Sequence, residues 1–178
     1  PHATRNFDLP TVLAPFLRPE FRGAVDMLTR ADRGSNFAPD VSVYPHARDP
    51  VTGRRQVDQL AFEVVSASSM NDTGYKAHKL LQLGVRRVFA VDVEVPELLE
   101  WDDAKSEWSS IATDSMFEDP CLTAPVPVKA LLDGLLTDDL LLRALEAKRS
   151  PALAALQART RAQGRDEGRR EGRDEGRR

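Results

Sequence analysis

The sequence predicts a mixed α/β (α+β) fold, a mixed sheet with flanking helices and a charged C-terminal tail. Three observations carry this expectation. Two short β-rich segments flank a turn-rich loop, which implies a hairpin. A helix stands between two apolar strand segments, which implies a crossover. Helical patterns then dominate the last third of the chain.

In order, residues 9–30 read as a helical segment interrupted by Pro10, Pro15 and Pro19. Residues 31–38 are polar and contain glycine and asparagine, so they read as a loop. Residues 40–44 (DVSVY) alternate and are β-rich. Residues 45–56 form a polar loop, with Asp49-Pro50 and Thr52-Gly53 as turn signals. Residues 57–66 make a second strand, mostly apolar in its second half. A polar connection at 67–72 leads to a helix from about Thr73 to Leu83, capped by Asn71 or Asp72 and ended by Gly84. Residues 86–94 are another strand, which should lie parallel to the preceding one after a right-handed crossover. Residues 98–101 and 107–111 suggest a further hairpin. The stretch 121–128 is punctuated by proline, and helices follow at about 128–135, 138–148 and from Pro151.

The organisation is therefore one domain over residues 1–150 and a helical, charged tail over 151–178 that is partly disordered. From Gly164 the tail places a glycine every four residues. Six arginines against five acids leave one positive charge. Charges at this spacing support a helix, whereas glycine weakens it by about 1 kcal/mol per position. A frayed, solvated helix or disorder is the expected outcome.

The chain has 178 residues, 41% hydrophobic and 30% charged, and this is enough for a core without disulfides. Its single cysteine, Cys121, fits a reducing cytoplasm. The most apolar stretch, residues 130–142, is broken by Asp133, Gly134, Asp138 and Asp139, so no membrane span is expected. The start lacks an initiator methionine and the marks of a signal peptide, so the chain reads as beginning inside a longer product. A net charge of −3 argues against a protein that coats nucleic acid over a wide face. It leaves room for a local acidic site that binds a cation.

Asp40 and Glu63 define such a site. The midpoint between them falls between Val51 and Thr52, inside the expected turn. A symmetric hairpin then sets the two carboxylates opposite each other, about 5 Å apart at Cβ. Like charges facing across a hairpin destabilise it unless a cation lies between them. Magnesium commonly takes one or two carboxylates, with water and phosphate oxygens completing its shell. Lys76 lies about one turn into the following helix, which can pass back over the strand end. Its ammonium could orient a water and stabilise charge on a phosphorane-like transition state. Lys79, on a neighbouring helix face, is the rival.

Other candidates are weaker. His2, His46 and His78 fall in different elements without metal-ligand spacing. Cys121 has no histidine partner, Ser66 lacks a glycine-flanked elbow, and no phosphate-binding glycine loop precedes a helix. Trp101 and Trp108 read as hairpin packing partners.

Several segments together resemble the Uma-type restriction-endonuclease family of the PD-(D/E)XK nuclease superfamily. They are Pro39-Asp40-Val41-Ser42-Val43, Phe62-Glu63-Val64-Val65-Ser66, Asp72 with Lys76, Gly84-Val85, and Val88-Phe89-Ala90-Val91-Asp92. The resemblance covers residues 37–94. It implies a metal-dependent endonuclease that hydrolyses DNA with Mg2+ (or Mn2+). Asp40 and Glu63 resemble the metal-binding acids, the main-chain carbonyl of Val64 a third ligand, and Lys76 a catalytic lysine moved from strand to helix. Leu80 stands where many members carry tyrosine, and Val88-Phe89 where they carry Tyr-Trp. Members also carry an acid near the N-terminus, for which Glu20 and Asp26 both remain open. The implied substrate is DNA, and a homodimer would supply one site per strand. The rival readings are a catalytically inactive nuclease-fold module for binding or assembly, and a phosphodiesterase acting on RNA or a nucleotide.

Overall fold

A computed structural model of the chain describes residues 2–30, 36–65 and 70–176. In chain order the elements are α1 (His2–Leu13), a 3-10 turn (Ala14–Phe16), β1 (Phe21–Val25), β2 (Thr29–Arg30), β3 (Asn36–Phe37), β4 (Val41–Pro45), β5 (Leu60–Val65) and α2 (Met70–Gln82). They continue with β6 (Arg87–Asp92), β7 (Glu97–Asp102), β8 (Glu107–Ile111), β9 (Met116–Phe117), β10 (Val126–Pro127), α3 (Val128–Asp133), α4 (Asp138–Ala147) and α5 (Pro151–Glu175). Six of the strands form one sheet in the order β1-β4-β5-β6-β7-β8. Only β5 and β6 run parallel; the other neighbours are antiparallel. This mixed sheet with flanking helices is the α+β class that the sequence implies.

The expected hairpin forms with the expected register. Val41 lies opposite Phe62 and Ser42 opposite Ala61. Continued by one residue, the register sets Asp40 opposite Glu63. The turn signals act as their chemistry suggests. Asp49 Oδ1 accepts hydrogen bonds from the amides of Val51 and Thr52 and from the Thr52 hydroxyl, and Gly53 takes the left-handed φ of +67°. The crossover also forms. β5 leads through α2 to β6, and Gly84 ends the helix region at φ +94°. Asn71 and Asp72 lie inside the first turn of α2, because the helix already begins at Met70. Ser66, the rest of 66–69 and the loop residues 31–35 fall outside the described residues.

Residues 9–30 are not one interrupted helix. Pro15 and Pro19 remove backbone donors where a helix would need them. The chain leaves the helix after Leu13, and Phe21–Val25 pairs with β4 from Phe21 opposite Pro45 to Val25 opposite Val41. A sheet edge is gained where a helix was expected, and with it a chain segment beside Asp40.

The side-chain period of two divides the sheet into two buried faces. On one face Val41, Val43, Phe62, Phe89 and Val91 join Leu9, Val12 and Leu13 of α1 and Leu131 of α3. Phe62 stacks on Phe89 at 4.9 Å between centroids, and Phe117 meets Phe89 edge-on at 5.2 Å. On the other face Ala61 and Val88 lie under Ala77 and Leu80 of α2. The β7–β8 hairpin sets Trp101 opposite Trp108, with rings 5.1 Å apart, as the packing reading expects. The rings close on α2 at Gly74, where a Cβ would lie 3.1 Å from Trp101. Beyond the sheet, α5 is one helix, exposed at all its described side chains except Leu153. No helix among the described residues is long and apolar enough to cross a membrane.

Candidate metal and active site

The two faces explain where the site lies. Glu63 points to the α2 side of the sheet, in register with Ala61. Its side chain is only 8% exposed. Lys76 stands on the flank of α2 that turns towards this strand. Its ammonium donates to Glu63 Oε2 at 2.7 Å and to the carbonyl of Ala38 at 2.7 Å. Lys79 points elsewhere: it donates to Gln82 Oε1 and sits 5.6 Å from the centre of the Tyr75 ring. Of the two lysines, the structure brings only Lys76 to the acids.

Asp40 closes the site from β4. It follows Pro39, just before the strand, and its Oδ2 accepts the Val64 amide at 2.6 Å. This carboxylate takes the place of a ladder acceptor at the strand end and holds Asp40 against the backbone just after Glu63. Of the two N-terminal acids left open, Asp26 lies at this end of the sheet. Its amide donates to the carbonyl of Asp40 at 3.1 Å, and its backbone is left-handed at φ +50°. Glu20 lies at the other end of β1, where its carbonyl accepts from His46.

Burial is the main influence on Glu63 and lifts its carboxyl to about 7. The Lys76 ammonium opposes that rise, and Asp40 and then Asp26 add to it. The other oxygen, Oε1, is buried and has no hydrogen-bond partner among the described residues. Such an atom costs about 1–3 kcal/mol of stability and calls for an occupant. The donors are hard oxygens, so the residues fit a magnesium-like cation. Among the described residues no three His, Cys, Asp or Glu side chains already gather as a metal cage. Two carboxylates are the number that magnesium often takes, with water and phosphate oxygens filling the rest of its shell.

The remaining candidates do other things. Cys121 is buried, with its thiol pushed up to about 12 chiefly by burial, which makes it a poor nucleophile. His78 is hydrogen-bonded through Nδ1 to Asp103 at 2.6 Å and through Nε2 to Gln82, at the surface. Sequence reasoning missed two features: the Ala38 carbonyl that anchors Lys76, and a buried Ser42 hydroxyl without a partner. A main-chain contact leaves no mark in a sequence. A serine in an otherwise apolar buried strand is a signal that could have been read.

The family model Uma2, described as "Putative restriction endonuclease", matches residues 1–127. Among solved structures, the crystal structure of a "putative nuclease belonging to DUF820" from Anabaena variabilis superposes with a TM-score of 0.57 at 16% identity, covering 76% of this chain and 82% of that one. At that identity the likeness is one of fold. No curated protein matches the chain. The matched segment spans the sheet and all three residues of the site, and the chain belongs to the Uma2 restriction-endonuclease family.

Proposed function

We propose that the chain is a metal-dependent DNA endonuclease acting through Asp40, Glu63 and Lys76. Family membership and fold support a nuclease in general terms. The observation that carries the finer reading is the unpartnered Glu63 Oε1, buried across from Asp40, with the other oxygen held by Lys76. Asp40, Glu63 and the carbonyl of Val64 would hold Mg2+ or Mn2+. When bound, the cation lowers the pKa of water and neutralises charge on the scissile phosphate.

The chain's own groups have distinct tasks. Lys76 restrains Glu63 by one oxygen, which leaves the other free to bind. The Ala38 carbonyl keeps the ammonium from swinging into solvent. From that place the ammonium can hold a water's oxygen in line with a phosphorus and stabilise developing negative charge. Asp40 is held by the Val64 amide, so the two carboxylates keep a fixed separation before any ligand arrives. This preorganisation removes a reorganisation cost from the reacting step.

The test is plasmid DNA cleavage with magnesium by the wild type, Glu63→Ala and Lys76→Ala. Loss of cleavage in both variants supports the assignment, and undiminished cleavage by Glu63→Ala overturns it. Parallel RNA and nucleotide substrates separate the phosphodiesterase reading. A chain that cleaves nothing and takes up no manganese in a calorimetric titration is the inactive module. Sedimentation with and without DNA tests the homodimer.

A further inference from the structure

A second buried polar atom lies beside the site and is used by nothing described so far. Ser42 is fully buried, and its hydroxyl has no hydrogen-bond partner. It lies opposite Ala61 in the β4–β5 register and opposite Ala24 in the β1–β4 register, among small side chains. Ala61 and Glu63 share a face of β5, so Ser42 and Glu63 are diagonal neighbours on the α2 side. Such residues lie about 7–8 Å apart at Cα and closer at Cβ, with both side chains leaning over the same surface.

On this one face two buried atoms, Ser42 Oγ and Glu63 Oε1, lack a partner among the described residues. Leaving either unsatisfied costs about 1–3 kcal/mol, and alanine in place of Ser42 would avoid one of the two penalties. Lys76 adds a third group. Its ammonium carries three N–H donors, and its hydrogen bonds to Glu63 Oε2 and the Ala38 carbonyl use two of them. A buried water needs two to four polar partners. The hydroxyl, the carboxylate oxygen and the remaining N–H supply three. A carboxylate oxygen accepts at two lone pairs, so Oε1 can serve that water and a cation together.

We propose that Ser42 is a positioning residue for Glu63, its hydroxyl fixing the carboxylate through one bridging water so that Oε1 faces the cation. The inference rests on the metal-site reading above. It assigns Ser42 no contact with substrate or metal. Its effect is on the orientation of the ligand, as outer partners of metal ligands generally act.

The experiment compares wild type and Ser42→Ala as full chains, titrating manganese by calorimetry and recording thermal unfolding without metal. The expected result is a manganese Kd raised about 10–100-fold. The metal-free midpoint should shift little, because the variant loses the hydroxyl together with the single water-mediated contact that satisfied it. An unchanged Kd overturns the proposal, whatever happens to stability. So does a lowered midpoint with an unchanged Kd, which marks the hydroxyl as merely structural. Failure of the parent reading looks different: the wild type itself takes up no manganese, and this inference falls with it.

Discussion

Replacing Glu63 by glutamine removes a charge and keeps the shape. Burial lifts the Glu63 carboxyl from its usual 4.5 to about 7, even with Lys76 opposing. A carboxyl whose pKa is higher folded than unfolded binds more protons in the folded state at intermediate pH. Its contribution to stability is complete below about pH 4.5 and is lost as pH rises through about 7. At about 1.4 kcal/mol per tenfold change, this displacement is worth about 3 kcal/mol. The side chain is 8% exposed, so solvent screening takes little from that figure. Glu63→Gln has no such titration. Its stability relative to wild type should therefore rise by about 3 kcal/mol between about pH 4.5 and pH 8. Losing the charge-assisted bond to Lys76 adds no further slope, because the pull of Lys76 is already contained in the value of about 7. Urea unfolding of both proteins in a chelator, across that range, reads the difference directly. A gap that stays flat, or that closes as pH rises, refutes the reasoning. Manganese should narrow the gap at about pH 8, because a cation favours the ionised carboxylate of the wild type alone.

The lysines give a paired prediction: Lys76→Met abolishes cleavage, whereas Lys79→Met, which breaks only contacts to Gln82 and Tyr75, leaves it within about threefold, a difference of well under 1 kcal/mol. The Asp119 side chain is fully buried and accepts from Arg86 at 2.6 Å and Arg87 at 3.0 Å; Asp119→Ala leaves Arg86 without a carboxylate partner, while Arg87 keeps Glu100, and should lower unfolding free energy by about 3 kcal/mol in urea melts. Gly74→Ala gains about 1 kcal/mol of helix propensity but drives a methyl to 3.1 Å from Trp101, where overpacking costs about 1–3 kcal/mol. The expected net is a lower melting temperature, and a higher one would show that the indole can shift.

The β4–β5 hairpin was legible because two independent signals agreed. The turn chemistry around Asp49 and Gly53 set the loop, and the apolar alternation set the faces, so the register followed. The crossover was legible for the same reason, with Gly84 marking the end of its helix. The edge strand β1 was not. Three prolines within residues 9–30 look like interruptions of one helix, and only pairing with Val41–Pro45, distant in sequence, makes Phe21–Val25 extended. Missing that strand left Asp26 and Glu20 equivalent, although the structure puts them at opposite ends of it. The choice of Lys76 over Lys79 also needed coordinates. A helical wheel places the two about 60° apart, too close for spacing alone to decide which amine reaches Glu63.

The energetics favour a binding role for the acids over a structural one. A structural ion pair gains by satisfying both partners, as Asp119 does with two arginines and the Cys121 amide. Glu63 is the opposite case. It is nearly as buried, yet it has one cation on one oxygen, nothing on the other, and two further acids nearby. At neutral pH its ionisation costs stability that the protonated carboxyl does not. A carboxylate kept where it weakens the empty fold is best explained by a state in which it is not empty. Ser42 adds a second buried polar atom, a hydroxyl for which the described residues supply no direct partner. Two residues on neighbouring strands thus place buried polar atoms on the face where the proposed cation and its bridging water would lie. On the proposed reading a metal-loaded nuclease centre would use both groups, whereas an inert module of the same fold would need neither, and the manganese titration decides between them.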